Sequence, residues 1–360
     1  MNRAMRTLKP LLRLFRFAPV LLLMAHACTH RVDGVVIISV DLQKTIELDI
    51  NTLPNVQTIV FGQTDVLLTG RGTVWLDSDI ILIQQRDSVM AFDPQGKYLF
   101  TLARKGRGPG EYTNIESLFI YEGLIYIQNK FLMQVYDQKG SFLRAHTLTQ
   151  TPQEAAPRQV YPAGNHHFIA RGDYGKQMEY AIGVLNTDFG FVQPVIGKSN
   201  ISEISTTEHF SPYGDELLFW EVFCDTIFSI KNLTNIYPKY YVDFGANSVP
   251  KSVYKKGTWA IMEFLNEEVN SGRYAGFLHN ILEGQHYLTA FFAFHYEKSD
   301  LLVYDKVKKR TQNYALFDSD DDPDDFSLRT VVHTQGDKLM FYGGKGEEVM
   351  IRIIDVGDLP

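Results

Sequence analysis

Two cysteines in 360 residues, Cys28 and Cys224, are too few for a disulfide framework. The chain also lacks an apolar run long enough to cross a bilayer as a helix. Its longest candidate, Phe17 to Ala27, has 11 residues, against the roughly 20 a spanning helix needs. Gly-x-Ser-x-Gly and His-Glu-x-x-His signatures are missing, which removes the α/β-hydrolase elbow and the zincin helix. His166, His167, His279, His286 and His295 show no ligand spacing. Basic residues are scarce too. Once residues 1–27 are set aside, 30 Lys and Arg face 42 Asp and Glu, a formal charge of −12. That balance disfavours nucleic acid and anionic membrane surfaces as partners, because both need a positive footprint.

The first 27 residues read as a leader. Arg3, Arg6, Lys9, Arg13 and Arg16 precede the short apolar stretch, and Ala25, His26 and Ala27 form a small-x-small cleavage site. Cys28 follows at once, the pattern of a bacterial lipoprotein signal with Cys28 as the lipidated first residue. Plain secretion with an incidental Cys28 is the alternative. Cys224, left without a partner, is expected inside a strand as a small hydrophobe. The expected division is a signal peptide at 1–27, a tether at 28–40 and one domain at 41–360.

What fills that domain is a cadence of short apolar strands ending in a turn acid. SVMAFDPQG ends its strand at Asp93, and LMQVYDQKG does so at Asp137. Weaker copies place anchors at Asp188, Asp305 and Asp355, and a degenerate one places Lys231 between them. The spacings of 44, 51, 43, 74 and 50 residues are those of β-propeller blades. Asp87 and Asp225 begin similar turns 138 residues apart, which is three blades. The expected fold is an all-β, six-bladed propeller of four-stranded antiparallel blades.

Asp355 leaves only five residues, too few for the outer strand of the sixth blade. The N-terminal segment Lys44–Asp49 is the strand expected to close the ring, which would remove its open edge. The 74-residue gap predicts a helical insertion near 257–272. There Trp259, Met262, Leu265 and Val269 recur at helical spacing, and Ser271 and Gly272 end the segment. This helix either caps the surface or walls one side of a binding site.

The sharpest local motif is Gly106 to Tyr112 (GRGPGEY), entered through Arg104 and Lys105. No Gly-Lys-Ser/Thr follows and Pro109 interrupts it, so it is not a phosphate cradle. It is placed between the outer strand of one blade and the inner strand of the next. One reading is a backbone solution, with glycines at positive φ and Arg107 paired to Glu111. The other is a ligand-binding patch of Arg104, Lys105, Arg107 and Glu111 beside Tyr112, receiving a carboxylate or a sugar stacked on the ring.

This loop, after an Asp-x-x-Gly turn, resembles that of the uncharacterised bacterial six-bladed β-propeller lipoproteins, relatives of the NHL-type propellers. The resemblance covers roughly 40–360 and implies a propeller in the cell envelope, with no established reaction. The acidic run Asp318 to Asp325 resembles a late Asp-rich loop of the same family. Its alternation at Asp318, Asp320, Asp322 and Asp324 suggests calcium. An EF-hand fails, because Pro323 replaces the turn Gly and Arg329 the bidentate Glu. A looser Ca²⁺ site at Asp318, Asp320 and Asp322 and a solvated acidic loop remain the two readings; no other cofactor is expected.

The function expected from these observations is a non-catalytic module that binds an envelope protein or a glycan. A Ca²⁺-dependent, lactonase-like propeller hydrolase is the alternative. The chain is expected to be a monomer that meets the membrane only through its lipid, as an outer-membrane lipoprotein facing the periplasm.

Overall fold

Alternating apolar side chains dictate the architecture. In ILIQQ, Ile81 and Ile83 point to one side of their sheet while Leu82 points to the other, and all three are buried. Strands buried on both faces must stack between two other sheets, which a ring of blades provides.

The computed structural model describes residues 34–70, 72–102, 105–148, 157–164, 166–172, 180–197, 210–221, 224–253, 256, 258–295, 298–317, 327–332, 336–345 and 347–360. Three N-terminal strands come first: β1 (Val36–Ser39), β2 (Ile46–Asp49) and β3 (Gln57–Val60). Blade I holds β4 (Thr73–Leu76), β5 (Ile81–Gln85), β6 (Ser88–Phe92) and β7 (Tyr98–Leu102). Blade II holds β8 (Ser117–Tyr121), β9 (Leu124–Asn129), β10 (Leu132–Tyr136) and β11 (Phe142–Thr147). Blade III holds β12 (Gln159–Gly164), β13 (His167–Arg171), β14 (Tyr180–Leu185) and β15 (Phe191–Gly197). Blade IV holds β16 (Phe210–Tyr213), β17 (Glu216–Phe219), β18 (Thr226–Lys231) and β19 (Asn235–Asp243). After helix α1 (Thr258–Phe264), blade V holds β20 (Ser271–Glu283), β21 (Tyr287–His295), β22 (Lys298–Asp305) and β23 (Arg310–Phe317). Blade VI holds β24 (Ser327–Val332), β25 (Lys338–Lys345) and β26 (Glu348–Asp355). Each blade is an antiparallel meander, and neighbouring blades meet along their innermost strands, as β4 does with β8 and β24. The fold is a six-bladed β-propeller.

The core is six wedges, one between each pair of blades. Ile81, Ile83, Met90 and Phe92 of blade I pack with Tyr342 and Ile351 of blade VI. Leu82, Val89 and Ala91, from the other face of the same strands, pack with Leu118, Ile125 and Ile127 of blade II. The pattern repeats around the ring, and each fully buried Leu, Ile or Phe contributes about 1.5–3 kcal/mol of transfer free energy.

The cadence has a local cause. Four anchors, Asp93, Asp137, Asp305 and Asp355, close the third strand of their blades, and their side-chain oxygens accept backbone N–H groups of the following turn; Lys231 ends the third strand of blade IV with no such acceptor. Asp93 Oδ1 accepts from Gln95 N at 3.0 Å and Lys97 N at 2.9 Å. Asp137 Oδ1 accepts from Lys139 N at 2.9 Å and Ser141 N at 2.8 Å. Asp305 and Asp355 cap their turns likewise. Blade III corrects the expectation. The capping side chain is Asn186, two residues before Asp188, and it accepts from Asp188 N and Gly190 N at 3.0 and 2.8 Å. Asn carries the same acceptor oxygen as Asp, so the turn needs no charge.

Ring closure is N-terminal, but by a different strand from the one expected. β3 pairs antiparallel with β26 and completes blade VI. The predicted closing segment instead forms β2, which adds to blade V as a fifth, parallel strand beside β23. β1 does the same for blade IV beside β19. The first 27 described residues are therefore a strap stitched across three successive blades. Leu48 and Ile50 bury against blade V and VI residues, which holds the middle of the strap where the sequence placed its end.

The helical insertion is present, with Gly257 outside the described residues. α1 runs straight into a π turn, Leu265–Val269, and Ile261, Val269 and Phe277 form a small core beneath it. The expected apolar stripe is displaced: Trp259 is 89% exposed and Met262 also faces outward.

Candidate functional site

Antiparallel meanders place the crossover loops and the turns between second and third strands on one face. The side-chain-capped turns occupy the other. The Gly-rich loop leads from β7 to β8, so it lies on the crossover face beside the Arg86–Asp87 turn. Lys105 Nζ meets Asp87 there at 2.6 Å.

The loop is tied down from inside. Glu111 N donates to Gly108 O at 3.0 Å, and Gly106 N donates to Tyr112 O at 2.9 Å. The Glu111 carboxylate turns back to accept Gly108 N at 2.7 Å, and it has no bond to Arg107 among the described residues. A Cβ at Gly106 would stand 2.0 Å from that carboxylate, so a larger residue there would push the Glu111 side chain off Gly108 N. From blade II, Gln134 Nε2 donates to Glu111 O at 2.7 Å and Tyr136 Oη to Gly110 O at 3.1 Å. Gly110 takes φ +75°, and the Phe142 side chain sits where its Cβ would point.

These contacts sort the predicted patch. Tyr112 is wholly buried, its hydroxyl donating to Asp87 O at 3.0 Å. Burial pushes its phenol up to about 12. Its ring is core, so the expected sugar platform is not there. Lys105 is engaged by Asp87, and Glu111 serves the loop's own backbone. Arg107 is exposed, without a hydrogen bond or ion pair to a described residue. Arg104 lies outside the described residues. So do Cys28 and the acidic loop with Asp318, Asp320 and Asp322. Among the described residues, no three His, Cys, Asp or Glu side chains gather closely enough to hold a metal ion.

Two features of this face were not foreseen. Arg171, at the end of β13, is fully buried and meets the buried Glu221 of blade IV at 3.4 Å. Only their burial distinguishes them from other charged residues, and a single sequence does not carry that. The second is β20, the inner strand of blade V. Its pairing with β21 shifts register between Gly276 and His279 and again between His279 and Leu282. Phe277 and Asn280 take φ of +57° and +46° inside these bulges. The first bulge turns Phe277 into the small core under α1, so helix and strained strand form one unit. His279 donates to Phe277 O through Nδ1–H at 3.0 Å, and burial lowers its pKa, keeping the ring neutral.

The fold and its N-terminal closure define the class: a six-bladed propeller whose crossover face carries one rigid Gly-rich loop and one helical insertion, three blades apart. The chain belongs to the family described as Domain of unknown function (DUF4934), which matches residues 44–345. No curated protein matches it. Among solved structures it is similar to the "Putative exported protein" of Bacteroides fragilis, with 14% identity and a TM-score of 0.70. That match covers 89% of this chain and 99% of the other. It is also similar to a member of the duf4221 family from Bacteroides vulgatus, with 11% identity, a TM-score of 0.54, and 87% and 99% covered. At such identities the likeness is one of fold. Among the described residues no helix is long and apolar enough to cross a membrane.

Proposed function

We propose that this propeller is an exported envelope lipoprotein, anchored through Cys28 at the outer membrane and facing the periplasm, that binds an envelope protein or glycan on its crossover face. One observation carries the reading: Arg107 is exposed, with no hydrogen bond or ion pair to a described residue, on a loop held in place by Glu111, Gln134, Tyr136 and the Lys105–Asp87 pair. A rigid loop presenting a free guanidinium is preorganised for an acidic or carboxylate-bearing group, and binding to it costs little ordering. The similarity to the Bacteroides fragilis "Putative exported protein" and the leader-like first 27 residues support export.

The test is photo-crosslinking in cells. A photoreactive residue replaces Arg86, exposed in the crossover-face turn beside the loop, in one strain and Leu99, on the outer strand of blade I, in another, with Arg107 kept in both. A single stoichiometric adduct from position 86, absent from position 99, is expected. The same weak background from both positions would refute the crossover face as the binding surface.

A further inference from the structure

We infer that the outer rim of blades II to IV rests against the lipid bilayer, so that the propeller stands on its edge with both faces open to the sides. The inference rests on Cys28 being the lipid anchor, and three observations carry it beyond that reading.

The first is where the tether enters. The strap places β3 on blade VI, β2 on blade V and β1 on blade IV, starting at residues 57, 46 and 36. Each step back along the chain moves one blade around the circumference and takes about ten residues. Val36 is eight residues from Cys28, less than one further step. Eight residues span at most about 28 Å even when fully extended. The described chain begins at the outer edge of blade IV, and an acylated Cys28 would lie within that reach of it.

The second is what that rim exposes. The outermost strands of blades II, III and IV each show two adjacent apolar side chains to solvent: Phe142 and Leu143, Phe191 and Val192, Val36 and Ile37. Val36 and Ile37 pair in regular register with β19 and point to opposite sides. Leu143 and Val192 are the extra residues at register shifts in β11 and β15, and Phe142 and Phe191 pack on Tyr136 and Tyr180 while leaving 37% and 38% of their surface open. Val192 is 50% exposed and Leu143 46%, far more than the wedges tolerate.

The third is that the rest of the rim is different. Blade V ends in β2, whose outward residues are Glu47 and Asp49. Blade VI ends in β3, which shows Gln57, Thr58 and Val60, and blade I shows Leu99 alone among large apolar side chains. The apolar arc is thus centred on blade III, beside the point where the tether arrives. The acidic residues Glu47 and Asp49 border the arc at blade V, and the blade across the ring from III is VI, whose edge strand β3 is uncharged.

The experiment uses the native lipidated chain in vesicles of phosphatidylethanolamine with a minor fraction of phosphatidylglycerol. An environment-sensitive fluorophore is attached at Leu143→Cys, Val192→Cys or Thr58→Cys, the buried Cys224 remaining unreactive. Spin-labelled lipid is the quencher, and mass spectrometry reads the N-terminus of the same material. With Cys28 acylated, blue-shifted emission that is lost to the quencher is expected at positions 143 and 192, and unchanged emission at 58. Equal quenching at all three positions, or quenching at 58 alone, overturns the rim contact and leaves the anchor standing. An unacylated Cys28 removes the anchor and this inference with it. A detergent-solubilised chain that is dimeric, and becomes monomeric with Leu143→Lys and Val192→Lys together, would assign the arc to a second copy and overturn the bilayer.

Discussion

Glu216 ties blade IV together from the face opposite the crossovers. Burial works against its charge, but hydrogen bonds from Tyr237, Ser229 and Lys239 outweigh it and hold the carboxyl at about 2. Lys239 also meets the buried Glu283 of blade V at 2.9 Å, and Lys306 meets it at 3.0 Å. A carboxylate with a lowered folded pKa stabilises the fold above its unfolded value, and the contribution drains away as pH falls through the folded one. The window here runs from 4.5 down to about 2. Urea midpoints across it should fall more steeply for the wild type than for Glu216→Gln, which should already be about 2 kcal/mol less stable at neutral pH. Parallel slopes would show that the unfolded chain holds the same proton. Tyr112→Phe removes the hydroxyl that donates to Asp87 O at 3.0 Å and lies 3.5 Å from Leu102 O, and should cost about 1 kcal/mol in the same assay. Residues whose chemistry is local were legible in the sequence. Asp93 and Asp137 announce their turns because an acceptor oxygen at that position needs only the next four residues. Arg171 and Glu221 were not legible, since their meeting depends on two blades packing first.

The helix shows how far periodicity carries and where it stops. Its existence followed from apolar spacing; its orientation did not. A turn of α-helix advances 3.6 residues, but the π turn from Leu265 to Val269 is wider, so an apolar stripe extrapolated through it swings out of line. Ile261 and Phe264 hold the buried side while Trp259 stands in solvent. Ile261→Ala should therefore cost about 2–4 kcal/mol, and Trp259→Ala should stay within about 0.5 kcal/mol of wild type. Chemical denaturation of the two variants side by side checks the assignment. The closing strand offers a second case. Gly96, in the third turn of blade I at φ +86°, lies so close to Val60 that an added Cβ would be 2.2 Å from its carbonyl oxygen. Gly96→Ala should cost about 2 kcal/mol or more by forcing β3 away from the turn, seen as a lowered urea midpoint.

Six blades could be counted from the chain because each is a local meander, written within about fifty residues. The strap could not be read so well, because several N-terminal segments are short and apolar enough to add to a sheet. Only the completed ring decides which blade each one reaches. That arrangement governs the order in which the molecule can be finished. Lys44 is held by Gln312, 268 residues away, and Asn51 by Arg352, 301 residues away. The earliest part of the domain to be synthesised therefore waits for the latest, and such distant pairings are slow to form. Until then part of the strap has no partner and is open to proteases. β1 is covered once blade IV is made, β2 once blade V is, and β3 only when blade VI arrives, so the strap works as a running receipt for synthesis: each late blade signs for one strand, and only a copy that reaches blade VI hides the last of them.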